Sequence, residues 1–316
     1  MIIIPQTPDE ASGSVGEFRA GGTDLSERRR SGIARGSIVD LRDLEDLDRI
    51  EWNAGAAHIG ARIRIATVAR DQAVHGAYPG LAAAAAALAT PQIRAVGTLG
   101  GNLLQRNRCW YYRHPATTCF KKGGDSCPAR DGDHLYGVCF DRGPCVAPHP
   151  STLGMALLAY DATVDIHAQP SRTISELYGD GADPTRDHLL EPGQLLTGIT
   201  VPPPVTGERA AYRRAIGRAR AEWPLVEAVV RLVADETITF ARVAIGGVAP
   251  VPLRLPAVEE ALVGLPGTDR TFHQAAELAT TEANPLPMTR YKVNLTHATV
   301  LDTLQRALRE TTDTPR

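Results

Sequence analysis

The side chains best suited to chemistry in this sequence are concentrated in the one stretch that holds every cysteine. All five cysteines lie between Cys109 and Cys145, in the spacing C-x9-C-x7-C-x11-C-x5-C. In a reducing compartment, clustered cysteines are more often metal ligands or catalytic groups than structural disulfides. The spacing contains no C-x2-C pair, so a structural zinc site is less natural. The alternative is a surface loop in which unliganded thiols accumulated by chance.

Two glycine pairs form the second feature that could bind a ligand. RAGGTDL (19–25) is predicted to follow a strand, and TLGGN (98–102) is predicted to follow a helix. A diglycine permits positive φ and lets backbone amides approach a ligand without interference from a Cβ atom. Successive amides that point one way form a nest suited to a pyrophosphate, although either pair could be only a tight turn. Neither pair matches G-x-G-x-x-G or the Walker A motif, and we interpret a third pair, Gly246-Gly247, as a structural turn.

Composition and charge exclude several classes of protein. The chain has 316 residues, 43% of them hydrophobic, which is enough for a large core in two or three subdomains. Its net charge of −2 offers no basic field for nucleic acid or anionic lipid, and no apolar run is long enough to span a membrane. The N-terminal MIIIPQTPDEASG lacks the basic residues and apolar length of a signal peptide, so we expect a cytoplasmic protein.

The elements that must position these residues are predicted to be a mixture of helices and strands, an α+β fold. From about residue 206 the pattern changes to strands with a turn at Asp235-Glu236, followed by helices that pack on them. Earlier signals are a strand entering a helix in HIGARIRIATVARD (58–71), a helix in GLAAAAAALAT (80–90) ended by Pro91, and a helix followed by a strand in TLGMALLAYDATVDIHAQ (152–169).

Five segments occur in the order and rough spacing of a known family: RAGGTDL, QIRAVGTLGGNL, CVAPHPS, ARVAIGGVAPVPLR and RYKVNL. On these segments the chain resembles the FAD-binding (medium) subunit of the molybdenum hydroxylases, the xanthine dehydrogenase and carbon monoxide dehydrogenase family. The resemblance covers nearly the whole chain and implies the FAD-binding fold of the vanillyl-alcohol oxidase/PCMH type with a C-terminal sheet-and-helix domain. We therefore expect FAD-binding subdomains in residues 1–52 and 53–205 and the C-terminal domain in residues 206–316.

The resemblance also implies which residues bind the cofactor. The two diglycine motifs would hold the pyrophosphate of FAD and its neighbours, and Leu104 would lie near the isoalloxazine ring. Ser151 belongs to a serine–aspartate pair in relatives, but Thr152 stands here in place of the aspartate. Lys292 matches a lysine common in the family, which could contact FAD or cap a strand. The full expected set is Arg19, Ala20, Gly21, Gly22, Thr23, Asp24, Leu25, Thr98, Gly101, Asn102, Leu104, Ser151 and Lys292.

The cysteine-rich stretch is similar to an insertion carried by the aldehyde oxidoreductase type within this family. In that type the insertion binds a [4Fe-4S] cluster, and RCWYYR and GPCVAPHPS here match its two ends. A cubane cluster needs four thiolates, one for each iron. The resemblance implies an iron–sulfur insertion at about residues 106–148 with the ligands Cys109, Cys119, Cys127 and Cys145, and leaves Cys139 as the free thiol.

No nucleophile–base–acid triad or pair of catalytic carboxylates is recognisable, which suits an electron-transfer subunit. The resemblance implies that electrons arrive from a small [2Fe-2S] subunit and leave through FAD to a terminal electron acceptor. A large molybdopterin-binding subunit would hydroxylate the substrate, with aldehydes favoured over N-heterocycles or an aryl-CoA thioester. The alternative is a free-standing FAD and iron–sulfur flavoprotein with its own substrate or a binding role. An export signal on a partner could carry a folded complex to the periplasm.

Overall fold

The structure, a computed structural model, describes residues 1–309 and begins with a small parallel sheet. The elements of this part are β1 (Ile2–Ile3), α1 (Pro8–Ser12), β2 (Glu17–Arg19), α2 (Leu25–Arg30) and β3 (Ile38–Asp40). The strand order is β1-β3-β2, and β3 pairs in parallel with both neighbours. Because β2 ends at Arg19, the first diglycine leaves the carboxyl end of an edge strand.

A second sheet of five antiparallel strands follows in the order β4-β5-β8-β6-β7. The proposed division between residues 52 and 53 falls inside its first strand. The strand predicted to enter a helix in HIGARIRIATVARD is present, since Ala56–Gly60 precedes a helix at Ile65–Arg70. The five strands are β4 (Ile50–Asn53), β5 (Ala56–Gly60), β6 (Thr163–Ile166), β7 (Arg172–Thr173) and β8 (Leu196–Val201).

Nine helices lie within this middle part of the chain, and most of them occur between β5 and β6. The helix-then-strand pattern predicted for residues 152–169 is confirmed by α10 and β6. The helices are α3 (Ile65–Arg70), α4 (Gln72–Ala77), α5 (Pro79–Ala87), α6 (Pro91–Val96), α7 (Leu99–Leu103), α8 (Trp110–Arg113), α9 (Pro128–Asp131), α10 (Thr152–Ala159) and α11 (Ile174–Tyr178).

The alanine-rich helix α5 is buried along most of its length and packs against α3 and α10. Alanine is the best helix former, and its small side chain allows close packing. The helix ends at Ala87, earlier than the predicted stop at Pro91, because Leu88 is extended and Ala89 has a φ of 49°. Pro91 instead occupies the first turn of α6, where its missing N–H costs nothing.

The C-terminal part is a four-stranded antiparallel sheet in the order β12-β11-β10-β9, covered by helices. The turn predicted at Asp235-Glu236 is confirmed, since one strand ends at Ala234 and the next begins at Ile238. The elements are β9 (Arg209–Ala215), β10 (Val226–Ala234), β11 (Ile238–Gly246), β12 (Leu253–Arg254), α12 (Pro256–Leu262), α13 (Asp269–Glu277) and α14 (Tyr291–Arg309).

The chain therefore combines helices with one parallel and two antiparallel sheets, which confirms the predicted α+β class. One large buried cluster joins the second and third sheets through residues such as Ile59, Leu157 and Val230. Short 3-10 turns occur at Glu45–Asp48, Phe120–Lys122, Leu278–Thr280 and Pro287–Thr289. Among residues 1–309 no helix is both long and apolar enough to cross a membrane.

Candidate functional site

The first diglycine forms a turn that packs directly on the backbone before the second diglycine. A Cβ atom on Gly21 would collide with the carbonyl oxygen of Val96 and come within 3.0 Å of the Cα of Gly97. Gly22 has a φ of +69°, a conformation that side-chain-bearing residues rarely adopt. Both glycines are therefore required by the fold, and together they bring residues 20–24 beside residues 97–101.

The backbone amides of residues 20–24 are the feature of this turn that points to a ligand. Among residues 1–309, none of these five N–H groups donates a hydrogen bond to another part of the chain. A backbone N–H group that is shielded from water and has no partner within the chain needs another acceptor, such as a ligand. Successive free amides at a turn form an anion-binding concavity, so this turn suits a phosphate group.

The second diglycine turn differs, because its amides already have partners within the chain. Leu99 N–H donates to the carbonyl of Ile63 at 2.9 Å and Gly100 N–H to the carbonyl of Ala61 at 2.8 Å. Gly101 N–H donates to the Thr98 hydroxyl at 3.1 Å, as the N-cap contact of α7. Of the two turns, the first therefore has the amides without partners among residues 1–309.

A cleft of about 510 Å³ opens where the two turns meet. An adjoining cavity of about 220 Å³ shares Thr23, Asp24, Thr98 and Gly101 with it, and Asn102 lines this second space. Most of the residues expected to bind the cofactor line the main cleft: Arg19, Ala20, Gly21, Gly22, Thr23, Asp24, Leu25, Thr98, Gly101 and Leu104.

Ser151 lies behind the cleft and supports one of its residues. Its hydroxyl donates to Asn102 Oδ1 at 2.8 Å and accepts from Gly154 N–H at 2.8 Å, as the N-cap of α10. Thr152 instead donates to Glu227 at 3.2 Å. Ser151 therefore orients Asn102 and caps a helix, with 2% of its surface exposed.

Lys292 lies away from the cleft, in the first turn of α14. Its Nζ donates to the carbonyl of Gly247 at 2.8 Å and to the carbonyl of Tyr136 at 3.3 Å. Lys292 does not line the cleft, and the carbonyl of Gly247 lies one residue beyond the end of β11. The buried ammonium ties the third diglycine, at the end of that strand, to the cysteine-rich segment.

Asp187 anchors the wall of the cleft that residues 186–196 provide. Its carboxylate accepts from Arg106 Nε at 2.6 Å and pairs with Lys121 Nζ at 3.0 Å. Burial alone would raise the pKa of Asp187, but Lys121 and Arg106 outweigh it and hold that pKa at about 2. Sequence reasoning missed this residue, because one aspartate among the turn-forming residues of DPTRDHLLEPG has no spacing signal.

Four cysteines lie as neighbours in residues 106–148, which we call the cysteine loop. The Cys145 thiol donates to the sulfur of Cys127, which lowers the pKa of Cys127 to about 5 and raises the pKa of Cys145. The pKa of Cys109 is raised, first by burial and also by the nearby thiols of Cys127 and Cys119. These four are the residues that the family resemblance implies as ligands.

Cys139 stands apart from the other thiols, in the main hydrophobic core. It is fully buried, and its thiol hydrogen-bonds the side chain of Thr296 on α14. Within residues 1–309 no three histidine, cysteine, aspartate or glutamate side chains are grouped closely enough to hold a single metal ion.

Comparison with known families gives two matches that together span most of the chain. Residues 11–204 match the FAD binding domain in molybdopterin dehydrogenase. Residues 210–311 match the CO dehydrogenase flavoprotein C-terminal domain.

Individual relatives agree with these matches. The chain is 34% identical over 270 residues to the aldehyde oxidoreductase FAD-binding subunit PaoB of Escherichia coli (strain K12), covering 81% of this chain and 83% of that protein. It is 24% identical over 283 residues to the nicotinate dehydrogenase FAD-subunit of Eubacterium barkeri, covering 86% and 82%.

A solved structure shares the fold at lower identity. A carbon monoxide dehydrogenase chain from Hydrogenophaga pseudoflava superposes with a TM-score of 0.76 at 22% identity, covering 98% of this chain and 96% of that one. The expected fold type is therefore confirmed over nearly the whole chain. On its fold, its diglycine cleft and these matches, the protein belongs to the family of FAD-binding subunits of the molybdenum hydroxylases.

Proposed function

We propose that the chain binds FAD in the cleft between the two diglycine turns and serves as the electron-transfer subunit of a molybdenum hydroxylase complex. The observation that carries this proposal is the run of unpartnered amides at residues 20–24, which line a cleft of about 510 Å³ that adjoins a second cavity. A phosphate nest in a cleft of this volume suits a dinucleotide. When bound, a flavin supplies the ability to take up electrons singly and release them in pairs.

The chain's own residues would bind and orient this cofactor. The amides of residues 20–24 would donate to the pyrophosphate, together with the hydroxyl of Thr98. Asn102, held by Ser151, would present its amide group in the adjoining cavity. Leu104 and the wall at residues 186–196 would cover the cofactor and exclude water from it.

We further propose that Cys109, Cys119, Cys127 and Cys145 bind a [4Fe-4S] cluster. Support comes from their mutual proximity and from the separation of Cys139, which the core buries. A cubane cluster takes four thiolates, each on a different iron, and four cysteines remain in this loop once Cys139 is set aside.

Local cations favour the same proposal. Lys121 lies near Cys145, where its charge acts to lower the pKa of that thiol. Lys122 lies on the same turn, and its Nζ donates to the carbonyls of Tyr111 at 3.0 Å and His114 at 2.7 Å. Both ammonium groups are held in place, where they would offset the negative charge of a thiolate-bound cluster.

The names of the relatives support a place in a larger assembly. PaoB is a subunit of an aldehyde oxidoreductase, and the relative from Eubacterium barkeri is a subunit of a nicotinate dehydrogenase. We propose a molybdopterin-binding large subunit and a [2Fe-2S] small subunit as partners, and an aldehyde as the substrate of the complex. Because thiolate ligands require reducing conditions, assembly would take place in the cytoplasm.

Anaerobic purification of the tagged chain from its native source tests this proposal. The expected result is co-purification of a molybdopterin-containing subunit and a [2Fe-2S] subunit, with bound flavin that is reduced when an aldehyde is added. Isolation of a flavin-loaded chain without any partner would contradict the assembly and favour a free-standing flavoprotein.

A further inference from the structure

The carboxylate of Asp24, beside the first diglycine, is held by arginines that belong to the cysteine loop. Asp24 Oδ1 accepts from Arg113 Nη2 at 2.7 Å and lies 3.1 Å from Arg108 Nη2. Its other oxygen accepts from the backbone N–H of Arg106 at 3.3 Å and from Arg28 Nε at 2.9 Å. Of these four donors, only Arg28 comes from outside the cysteine loop.

The same two arginines make a second contact that fixes their direction. Arg113 Nη1 donates to Glu27 Oε2 at 2.6 Å, and Arg108 Nη1 donates to that oxygen at 3.2 Å. Arg113 also donates to the carbonyls of Arg106 at 2.8 Å and Asn107 at 2.9 Å. Arg113 thus connects the start of the cysteine loop to Asp24 beside the first diglycine and to Glu27 in α2.

Burial makes these ion pairs stronger than surface pairs. The side chains of Asp24 and Arg113 are each 12% exposed. Burial alone would raise the pKa of Asp24, but Arg108 and Arg113 outweigh it and hold the pKa below its usual range. Shielded charges interact more strongly than exposed ones, and loss of one partner leaves the other charge uncompensated.

The cysteine loop has little apolar core of its own with which to hold these arginines in place. Its small buried cluster consists of Ala129, Val138 and Val146, against which Cys109 and Cys127 pack. Cys139 and Phe140 anchor the later part of the loop in the main core, whereas Arg108 and Arg113 lie on either side of Cys109, near the start of the loop. Metal binding to Cys109 would add order at this end of the loop, and loss of the metal would loosen the contacts of Arg108 and Arg113 with Asp24.

We infer that these ion pairs couple the order of the cysteine loop to the affinity of the cleft for FAD; this inference rests on the proposed function. With the loop closed, Asp24 is neutralised and the adjacent amides present a positive field to the diphosphate. With the loop open, Asp24 keeps only Arg28, and its charge repels the diphosphate. Coupling between two sites is reciprocal, so FAD also protects the loop from opening.

The test compares two arginines of the same loop in the full chain. Arg113→Gln removes the contacts with Asp24 and Glu27, whereas Arg142→Gln removes only a solvent-exposed ion pair of the same loop, with Glu282 at 3.7 Å. FAD is titrated into flavin-free protein by fluorescence quenching, and iron is measured on the same samples. We expect Arg113→Gln to weaken FAD binding by about tenfold or more and Arg142→Gln by about twofold or less, with partial recovery in Arg113→Lys.

A second arm removes iron from the wild type and from Asp24→Asn with a chelator. Iron removal should weaken FAD binding to the wild type by about tenfold and leave the affinity of Asp24→Asn unchanged, because that variant has no charge to uncover. Added FAD should slow proteolysis of the cysteine loop in the wild type and not in Arg113→Gln. The comparison of the wild type with Asp24→Asn tests the coupling even if Arg113→Gln itself loses iron.

The possible results distinguish failure of the coupling from failure of the proposed function. Equal weakening in Arg113→Gln and Arg142→Gln, or FAD affinity in the wild type that does not depend on iron, overturns the coupling alone. A wild-type chain that binds neither FAD nor iron overturns the proposed function, and the coupling falls with it.

Discussion

The backbone of Gly21 lies so close to the carbonyl oxygen of Val96 that no Cβ atom fits between them. This contact joins the turn after β2 to the turn before α7, although the two lie in different subdomains of the proposed division. The cleft lies where the two turns touch, and it is lined by residues 20–24, whose amides have no partner among residues 1–309.

Gly21→Ala should therefore damage the fold as well as the cleft. The added methyl group forces the two turns apart, and such overpacking costs about 1–3 kcal/mol. Thermal unfolding should show a lower midpoint, and FAD titration should show weaker binding. An alanine variant with unchanged stability and affinity would mean that the two turns do not touch as described.

Gly101→Val should impair FAD binding while leaving the fold largely intact. An added Cβ would meet only the Thr98 hydroxyl, at 2.9 Å, and would project along the wall of the cleft. We expect FAD affinity to fall by about tenfold or more. Gly76→Val is the matched control, since Gly76 lies in helix α4 with open space around it. Equal affinity in the two variants would remove Gly101 from the cofactor site.

Serine substitutions should separate the cysteines into two groups. Cys109→Ser, Cys119→Ser, Cys127→Ser and Cys145→Ser should each lower the iron content sharply, because a cubane cluster rarely tolerates the loss of a thiolate. Cys139→Ser should retain iron, because that thiol is buried beside Thr296 in the core. Iron and sulfide analysis of anaerobically prepared protein decides the matter, and zinc in place of iron would contradict the cluster.

Asp187→Asn should destabilise the cleft wall and the cysteine loop together. The change removes a buried charge from between Arg106 and Lys121, and breaking a buried ion pair typically costs about 3–5 kcal/mol. Asp183→Asn is the control, because Asp183 is exposed and bonds only Thr185, and a surface change of this kind costs less than about 1 kcal/mol. Urea unfolding of both variants at neutral pH gives the two free energies, and equal values would show that Asp187 is not an anchor.

Glu227 should make stability depend on pH. Burial raises the pKa of Glu227 to about 7, despite hydrogen bonds from Tyr212 at 2.8 Å and Thr152 at 3.2 Å. The folded state therefore holds this proton more tightly than the unfolded state, and stability falls as pH rises from about 4.5 to about 7. Glu227→Gln should remove this loss. The free energy of unfolding of the variant should therefore rise relative to that of the wild type between pH 5 and pH 8, by an amount on the order of 3 kcal/mol. A constant difference across that range would contradict a neutral carboxyl group.

The parts of the site that could be predicted from the sequence are those that depend only on residues adjacent in the chain. Adjacent glycines permit a tight turn whatever the surrounding fold, as the φ of +69° at Gly22 shows. The amides of Leu99 and Gly100 could not be assigned in this way, because their acceptors, Ile63 and Ala61, come from a distant segment. Lys292 and Asp187 likewise acquire their roles from contacts across the chain, which residue spacing does not encode.

Identification of the flavin released from the purified chain tests the central proposal most directly. Protein prepared without air is denatured, and the released chromophore is separated by chromatography and quantified against the chain. We predict about one FAD per chain, because the nest at residues 20–24 lines a cleft of about 510 Å³ that adjoins a second cavity. Release of FMN, or of no flavin from folded protein supplied with FAD, would contradict the proposal.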